Sequence, residues 1–355
     1  MRLFLGLAGL LIILTGGFYF LDKSNSSPVK LTDNAANKFE QKKNKVKTKN
    51  VMERNPIPFD GKVYQWIGKN ADTLTQKLGK PVRKDRSAYG YVWWVYQNKH
   101  NQYIQFGVQD NRIITIYAIG ENLSLDPIHI GQDYESVKKN LEISNEVTYN
   151  TGLSSYTFQL DDQELNSRPL AKLTDNIFMQ CYMDTFTNKL SSIRIVTGDV
   201  LLQHRPYAME YRGELPKKPN PSKEEWKKIE SGMEQQIFDI TNVMRNIHGK
   251  PSLKWNKQIS QVAFKHSKDM AVNSYFSHYS ESGAGLKERL TAKKVYYQAA
   301  GENIAAKYPD SPSAMNGWLN SKGHRQALLN ADYTHLGVGV YHFYYTQNFL
   351  KIPQS

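Results

Sequence analysis

Apolar and polar positions divide this chain into stretches of different rhythm. Residues 3–21 form an almost unbroken apolar run of about 19 residues, roughly the length at which a helix crosses a bilayer. Its end, Thr-Gly-Gly-Phe-Tyr-Phe-Leu-Asp at 15–22, carries aromatics suited to a membrane interface and lacks an Ala-x-Ala-like cleavage site. The pattern predicts an uncleaved N-terminal transmembrane anchor at 1–21, preferred over a cleaved signal peptide or a buried core helix. Residues 22–55 have no period. Lys42, Lys43, Lys45, Lys47 and Lys49 alternate with polar residues and Val46, too charged to collapse, and predict a solvated, extended linker.

From 56 to 212 the rhythm changes to alternation, and it repeats. Trp66-Ile67-Gly68-Lys69-Asn70 with Leu74 and Leu78 recurs as His129-Ile130-Gly131-Gln132-Asp133 with Val137 and Leu141. Each Ile-Gly step leads into apolar positions four apart, a short helix. Alternating, aromatic-rich runs follow each copy: Tyr91–Tyr96, Tyr103–Val108 and Ile113–Ala118, then Ser155–Leu160, Ile177–Met183 and Leu190–Val196. These read as strands, with Asp110-Asn111 as a hairpin turn. The segment is therefore expected to be an α+β domain of two helix-plus-three-strand units that bury each other's apolar faces. Tyr89 to Tyr96 could form an aromatic ligand platform; a strand buried on one face is the preferred reading.

Residues 213–221, with three prolines, mark the junction to a last domain at 222–355. Ser222-Lys223-Glu224-Glu225 is a capping box. Ile237, Ile240, Val243, Met244 and Ile247 then share a helix face that Gly249 ends. Asn256 caps a second helix with Ile259, Val262, Ala263, His266 and Met270 on one side. His266 on that stripe is expected to be a core histidine bonded to backbone. A third helix runs from Ser311 to a break at Gly323, and Gly337–Tyr341 with Tyr344–Phe349 reads as a closing hairpin.

Composition narrows the partners. The formal net charge of +13 is uneven: +1 for 1–21, +5 for 22–55, −1 for 56–214 and +8 for 215–355. No zinc-finger spacing, RNP string or helix-turn-helix accompanies the basic runs, so nucleic acid is not the expected partner; anionic lipid or a polyanionic wall polymer is. The single cysteine, Cys181, excludes an intrachain disulfide and a thiolate metal centre, and within Phe178-Met179-Gln180-Cys181-Tyr182-Met183 it reads as a buried filler.

The chemistry gathers between residues 276 and 349, in Tyr275-Phe276-Ser277-His278, Gly301-Glu302-Asn303-Ile304, Gly323-His324-Arg325 and Tyr345-Thr346-Gln347-Asn348-Phe349. Two histidines and a carboxylate stand beside glycines that let backbones approach closely. Two imidazoles and one carboxylate could hold zinc or another divalent cation with an open fourth position. One histidine oriented by Glu302 could be a general base, or Glu302 could bridge both rings as a structural centre. No serine or cysteine nucleophile is marked, and no His-Glu-x-x-His helix occurs.

These four strings, in this order, resemble the CAP superfamily (cysteine-rich secretory protein, antigen 5, pathogenesis-related 1) in a bacterial, cysteine-free form, from about Trp226 to the C-terminus. The middle segment resembles the domain that precedes the CAP module in many exported bacterial proteins. The resemblance implies a three-layer α-β-α sandwich with a cleft at one edge. It also implies that His278, Glu302 and His324 are three of the four cavity residues. The fourth, an acid near Trp318, is missing; from Ala314 to Lys322 only Asn316 and Ser321 have similar reach, so a paired acid and base is not available. Asn303 and Gln347 are expected to hold the site loops. The positive-inside rule would place Lys23, Lys30 and Lys38 in the cytoplasm. Short N-terminal anchors usually export the chain beyond them, and the resemblance is to secreted proteins. The reading is a single-pass cell-membrane protein with extracellular C-terminal domains, whose CAP module binds a cell-envelope, lipid or protein ligand. The alternative is a metal-assisted hydrolase of peptide or cell-wall substrates.

Overall fold

The computed structural model describes residues 62–98, 101–120 and 123–353. The expected anchor at 1–21 and linker at 22–55 lie outside the described residues, among which no helix is long and apolar enough to cross a membrane.

After a 3-10 turn at Val63–Trp66, the middle segment runs α1 (Asp72–Leu78), β1 (Arg83–Arg86), β2 (Val92–Asn98), β3 (Gln102–Gln109) and β4 (Arg112–Gly120). It continues through β5 (Ser124–Leu125), β6 (Ile128–His129), α2 (Tyr134–Leu141), β7 (Glu146–Thr151) and β8 (Ser154–Gln159). It closes with α3 (Asp162–Ser167), β9 (Leu170–Lys172), β10 (Ile177–Asp184), β11 (Lys189–Thr197), α4 (Gly198–His204) and β12 (Ala208–Arg212). A seven-stranded sheet in the order β1-β2-β3-β4-β11-β10-β9 is its frame. The repeat is real at the level of hydrogen bonds. Gly68 and Gly131, at φ 82° and 87°, donate N–H groups to Ile113 and Leu190, each at 2.7 Å, so both Ile-Gly steps fasten a helix to the last strand of its unit. Asp110 and Asn111 both have positive φ and turn the β3–β4 hairpin as expected.

One expectation needs correction. Strand β8 does not join β10 and β11 but forms a separate sheet, β12-β8-β7, and the third strand that the second unit gives to the large sheet is β9. Alternation tells which side chains are buried and not which sheet receives them. The aromatic run is core: Tyr91 and Trp93 are buried facing one way and Tyr96 the other. Cys181 is wholly buried, and burial pushes its thiol up to about 12.

The C-terminal segment comprises α5 (Lys223–Ile247), β13 (Lys254–Trp255), α6 (Lys257–Val272), α7 (Leu286–Ala292) and β14 (Ala299–Ala306). Then come α8 (Ser311–Leu319), α9 (Lys322–Leu328), β15 (His335–Tyr341) and β16 (Tyr344–Lys351). The expected capping box of Ser222 and Glu225 opens α5, and Asn256 caps α6. The sheet order is β13-β15-β16-β14, antiparallel apart from the two-residue parallel pair β13–β15. On one face Ile259, Val262, Leu286, Leu290, Ala300 and Leu350 form the core beneath α6 and α7; α5 and α8 cover the other. This is the three-layer sandwich. Helix α6 lies unusually close: a Cβ at Gly339 would fall 1.9 Å from the backbone nitrogen of Phe264, and one at Gly337 would fall 2.3 Å from that of Ser260, so only glycine fits at either position.

The two segments do not keep separate cores. A single apolar cluster joins Trp93, Tyr103, Tyr117 and Tyr182 of the large sheet to Ile237, Met244, Met315 and Trp318 of the C-terminal segment. Length alone suggests two independent cores; here the sheet face opposite α1 and α2 is closed by α5 and α8 together with α4 and the small β12-β8-β7 sheet.

Candidate functional site

Strand β14 sits at the edge of its sheet, and successive residues on a strand point to opposite faces. Glu302 and Asn303 are neighbours, so one short segment gathers elements from both sides. On one side Glu302, with a side chain 1% exposed, accepts at Oε1 from His278 Nδ1 at 2.9 Å and at Oε2 from an Arg289 guanidinium nitrogen at 2.6 Å. On the other, Asn303 Nδ2 donates to the His324 carbonyl at 3.1 Å and to Gln347 Oε1 at 3.2 Å. Gln347 Nε2 donates in turn to Thr241 Oγ1 at 2.7 Å. Gly301 allows this crowding, since a Cβ there would lie 2.4 Å from the Tyr333 hydroxyl.

Burial alone would raise the Glu302 carboxyl, but the His278 hydrogen bond and the Arg289 charge outweigh it and hold the group below its usual range. His266 is buried as expected for a core histidine, with Nε2 3.0 Å from the Ser277 carbonyl. Burial lowers it to about 4, so at neutral pH the ring is uncharged and Nε2–H donates. The same nitrogen lies 3.9 Å from Glu302 Oε1, which walls the carboxylate in. His324, on α9, is also lowered to about 4, by burial first and by the nearby His278 second.

The three predicted centre residues are therefore drawn together unequally. His278 and Glu302 are bonded. His324 is tied in through its backbone carbonyl and has His278 as a neighbour, but its ring makes no hydrogen bond to Glu302 among the described residues. Phe276, two residues before His278, is half-buried. The helix break falls at Asn320–Ser321, not at Gly323, which lies inside α9. Neither proposed replacement for the missing acid joins the centre: Asn316 accepts from Asn320 Nδ2 at 3.1 Å, and Ser321 sits at the N-cap of α9 with no side-chain cap bond.

Zinc with three protein donors does not fit this arrangement. Glu302 has given one oxygen to a guanidinium and the other to His278, so it stands behind that imidazole as an orienting acceptor and not as a ligand. His278 Nε2 and the His324 ring remain, two donors where catalytic zinc takes three, and no group of three candidate ligands occurs among the described residues. Chemically, the dyad fixes the orientation of the His278 ring: Nδ1–H points at Glu302 and Nε2 is the nitrogen left facing away from it.

Arg289 is the residue that sequence reasoning missed. It lies on α7 beside the buried Leu286 and Leu290, and an arginine on the apolar side of a helix is a signal that a buried carboxylate waits for it. Its NH1 also donates to the carbonyls of His278 at 2.8 Å and Ala284 at 2.9 Å, which pins the loop carrying His278. On this flank a cleft of about 370 Å³ is lined by Lys265, His266, Asp269, Ser280, Glu288 and Arg289, among others, a size typical of small-molecule sites, roughly 300–1,000 Å³.

Known proteins share both segments. Residues 67–207 match the family described as CAP-associated N-terminal, and residues 238–350 match the cysteine-rich secretory protein family. The chain is 47% identical over 295 residues to YlbC of Bacillus subtilis (strain 168), named an uncharacterized membrane protein, covering 83% of this chain and 85% of that one. A shorter match, 33% over 109 residues, covers 31% of this chain and 42% of the uncharacterized protein YkwD of the same organism. Among solved structures, an extracellular protein containing an SCP domain from Bacillus anthracis superposes with a TM-score of 0.78 at 41% identity. That match covers 88% of this chain and 100% of the other. A cysteine-rich secretory protein from Staphylococcus aureus gives 0.72 at 28% identity, over 84% of this chain and 95% of that one.

Proposed function

Because the chain belongs to the cysteine-rich secretory protein (CAP) family and carries its CAP-associated N-terminal domain, we propose that it is a membrane-tethered extracellular binding protein. Its ligand, from the cell envelope, a lipid or a partner protein, is received at the centre of His278, Glu302 and His324, beside the cleft that His266 and Arg289 line. The names of the relatives, an extracellular SCP-domain protein and a membrane protein, support this placement, as does the apolar run at 3–21. The +8 on residues 215–355 favours anionic lipid or wall polymer as the surrounding surface.

One observation carries the preference for binding over hydrolysis: Glu302 is spent. Both oxygens are bonded and its carboxyl is held ionised, so it cannot deliver a proton at neutral pH. No second carboxylate joins it among the described residues to form an acid–base pair.

Calorimetry on the intact chain with wall fragments and lipid vesicles, beside assays for peptide and glycan cleavage, tests this reading. Binding without turnover, weakened at least tenfold by His278→Ala, is expected. Zinc-dependent cleavage lost in His278→Ala and His324→Ala would replace the binding reading with the hydrolase. For topology, protease added to intact cells should remove the C-terminal domains; full protection would place them inside.

A further inference from the structure

The tip between β10 and β11 reaches across the boundary between the two family segments and grips the helix pair that carries His324. Asp184, with a side chain 4% exposed, receives two hydrogen bonds from Arg325, at 2.8 and 2.9 Å, the two-pronged geometry that fixes a guanidinium in orientation as well as position. His248, at the end of α5, adds a third contact to the same carboxylate at 3.1 Å. One residue on, the Thr185 N–H and hydroxyl both donate to Asn320 Oδ1, at 2.8 and 2.9 Å. Asn320 Nδ2 donates back to the Met183 carbonyl at 2.8 Å. Phe186 lies against the guanidinium, 4.8 Å from ring centre to Arg325 Cζ.

Asn320 and Arg325 bracket the stretch Ser321-Lys322-Gly323-His324. They enclose the α8–α9 break and the first turn of α9, whose Gly323 gives that turn little stiffness of its own. The grip at Asp184 is desolvated. Burial would raise its carboxyl, but the His248 and Arg325 hydrogen bonds overcome this and drive it far below the usual carboxylate range. An attachment of this kind holds at neutral pH, where a surface ion pair would contribute little.

We propose that Asp184 of the CAP-associated domain is a positioning residue for the cleft, fixing His324 through Arg325, so that this domain is a working part of the CAP site. The inference rests on the reading of the cleft as the binding centre and assigns the preceding domain a role in it. The peptide that joins His324 to Arg325 then has two anchors: the Arg325 side chain on Asp184 and the His324 carbonyl on Asn303. Loss of the first leaves that peptide with the second alone.

The test uses the intact chain, nuclear magnetic resonance of the histidine rings and amide hydrogen exchange. Asp184→Asn keeps the shape and removes the charge. Exchange across residues 322–328 should accelerate at least tenfold, and the His324 ring should titrate above its starting value of about 4. The His278 ring resonances at fixed pH, with the ring held by Glu302 through other elements, should stay where they are. An unchanged α9 and His324 in a folded Asp184→Asn chain overturns the proposal, and so does a parallel change in His278, which signals general loosening. Should Asp184→Asn fail to fold, Arg325→Lys keeps the charge and loses the two-pronged contact. It should move His324 in the same direction by less, and no movement again overturns the idea. Neither measurement involves a ligand, so failure here is separable from failure of the binding reading.

Discussion

Replacing Asp310 by alanine is expected to destabilise the chain by about 3–5 kcal/mol, the usual consequence of leaving a buried charge without its partner. Asp310 N-caps α8, accepting from the Ser313 N–H at 3.2 Å, and its other oxygen lies 2.5 Å from an Arg194 guanidinium nitrogen on β11. The two side chains are 4% and 1% exposed, so water cannot replace either. Burial would raise the aspartate, and the Arg194 charge overrides it and keeps the carboxyl below its ordinary value. Arg194 then has little else. Its NH1 lies 3.3 Å from His204 Nδ1, and burial together with the arginine lowers that histidine to about 3, so the ring is neutral and accepts. A neutral imidazole cannot balance a guanidinium.

The same argument predicts recovery. In Arg194→Met/Asp310→Ala the stranded charge is gone, and the double variant should regain most of the loss, leaving about 1 kcal/mol for the missing cap. Urea denaturation of Asp310→Ala and the double variant against the parent measures this. A loss below about 1 kcal/mol in Asp310→Ala would mean that the pair is solvated or replaceable, contrary to its burial.

The second large effect concerns the cleft. Arg289→Met removes the counter-charge of Glu302 and three loop contacts, and should also cost about 3–5 kcal/mol at pH 7. The pH dependence separates the two contributions. In the parent, the depressed carboxyl of Glu302 supplies stability that is present above the unfolded carboxylate range and lost as pH falls through the folded value. Without Arg289, burial is opposed chiefly by the His278 hydrogen bond, and the folded carboxyl rises from its depressed position. Its penalty is then largest at neutral pH and fades as acid protonates the group in both states. The gap between variant and parent should therefore narrow as pH falls from 7 towards 4, while a gap caused only by lost packing would stay constant. Denaturant midpoints across that range decide between them, and Arg289→Lys, which restores charge without the fork, should recover part of the loss.

Much of this structure was legible in the chain because it is local. The Ser222 box, the Asn256 cap, the Asp110-Asn111 turn and the two Ile-Gly steps depend on residues within a few positions of one another. The site strings were legible in part: Glu302 does meet His278, while Asn303 and Gln347 bond each other across paired strands and reach α9 and α5 and not the loops. The unread part is long-range. Nothing near Glu302 in sequence announces Arg289, nothing in the Met183–Phe186 turn announces Asn320 and Arg325, and Arg194 on an alternating strand looks like a solvent-facing residue. Each is a polar group whose burial is set by an element more than ten residues away. The strand period gave the buried faces correctly and could not reveal that one face of the seven-stranded sheet is completed by the helices of the next segment.

Strand β15 pairs with β13 over two residues only, which leaves a border on the side of the sheet away from β14 and Glu302. The N–H groups along its free border are not offered to solvent: Val338 donates to Ser260 Oγ at 3.2 Å, Val340 to Glu234 Oε1 at 3.2 Å and His342, just past the strand, to Glu230 Oε1 at 3.0 Å. An exposed border of this kind would invite another polypeptide to lengthen the sheet. With its donors taken by the chain's own carboxylates and hydroxyl, a polypeptide cannot lie down there as an extra strand.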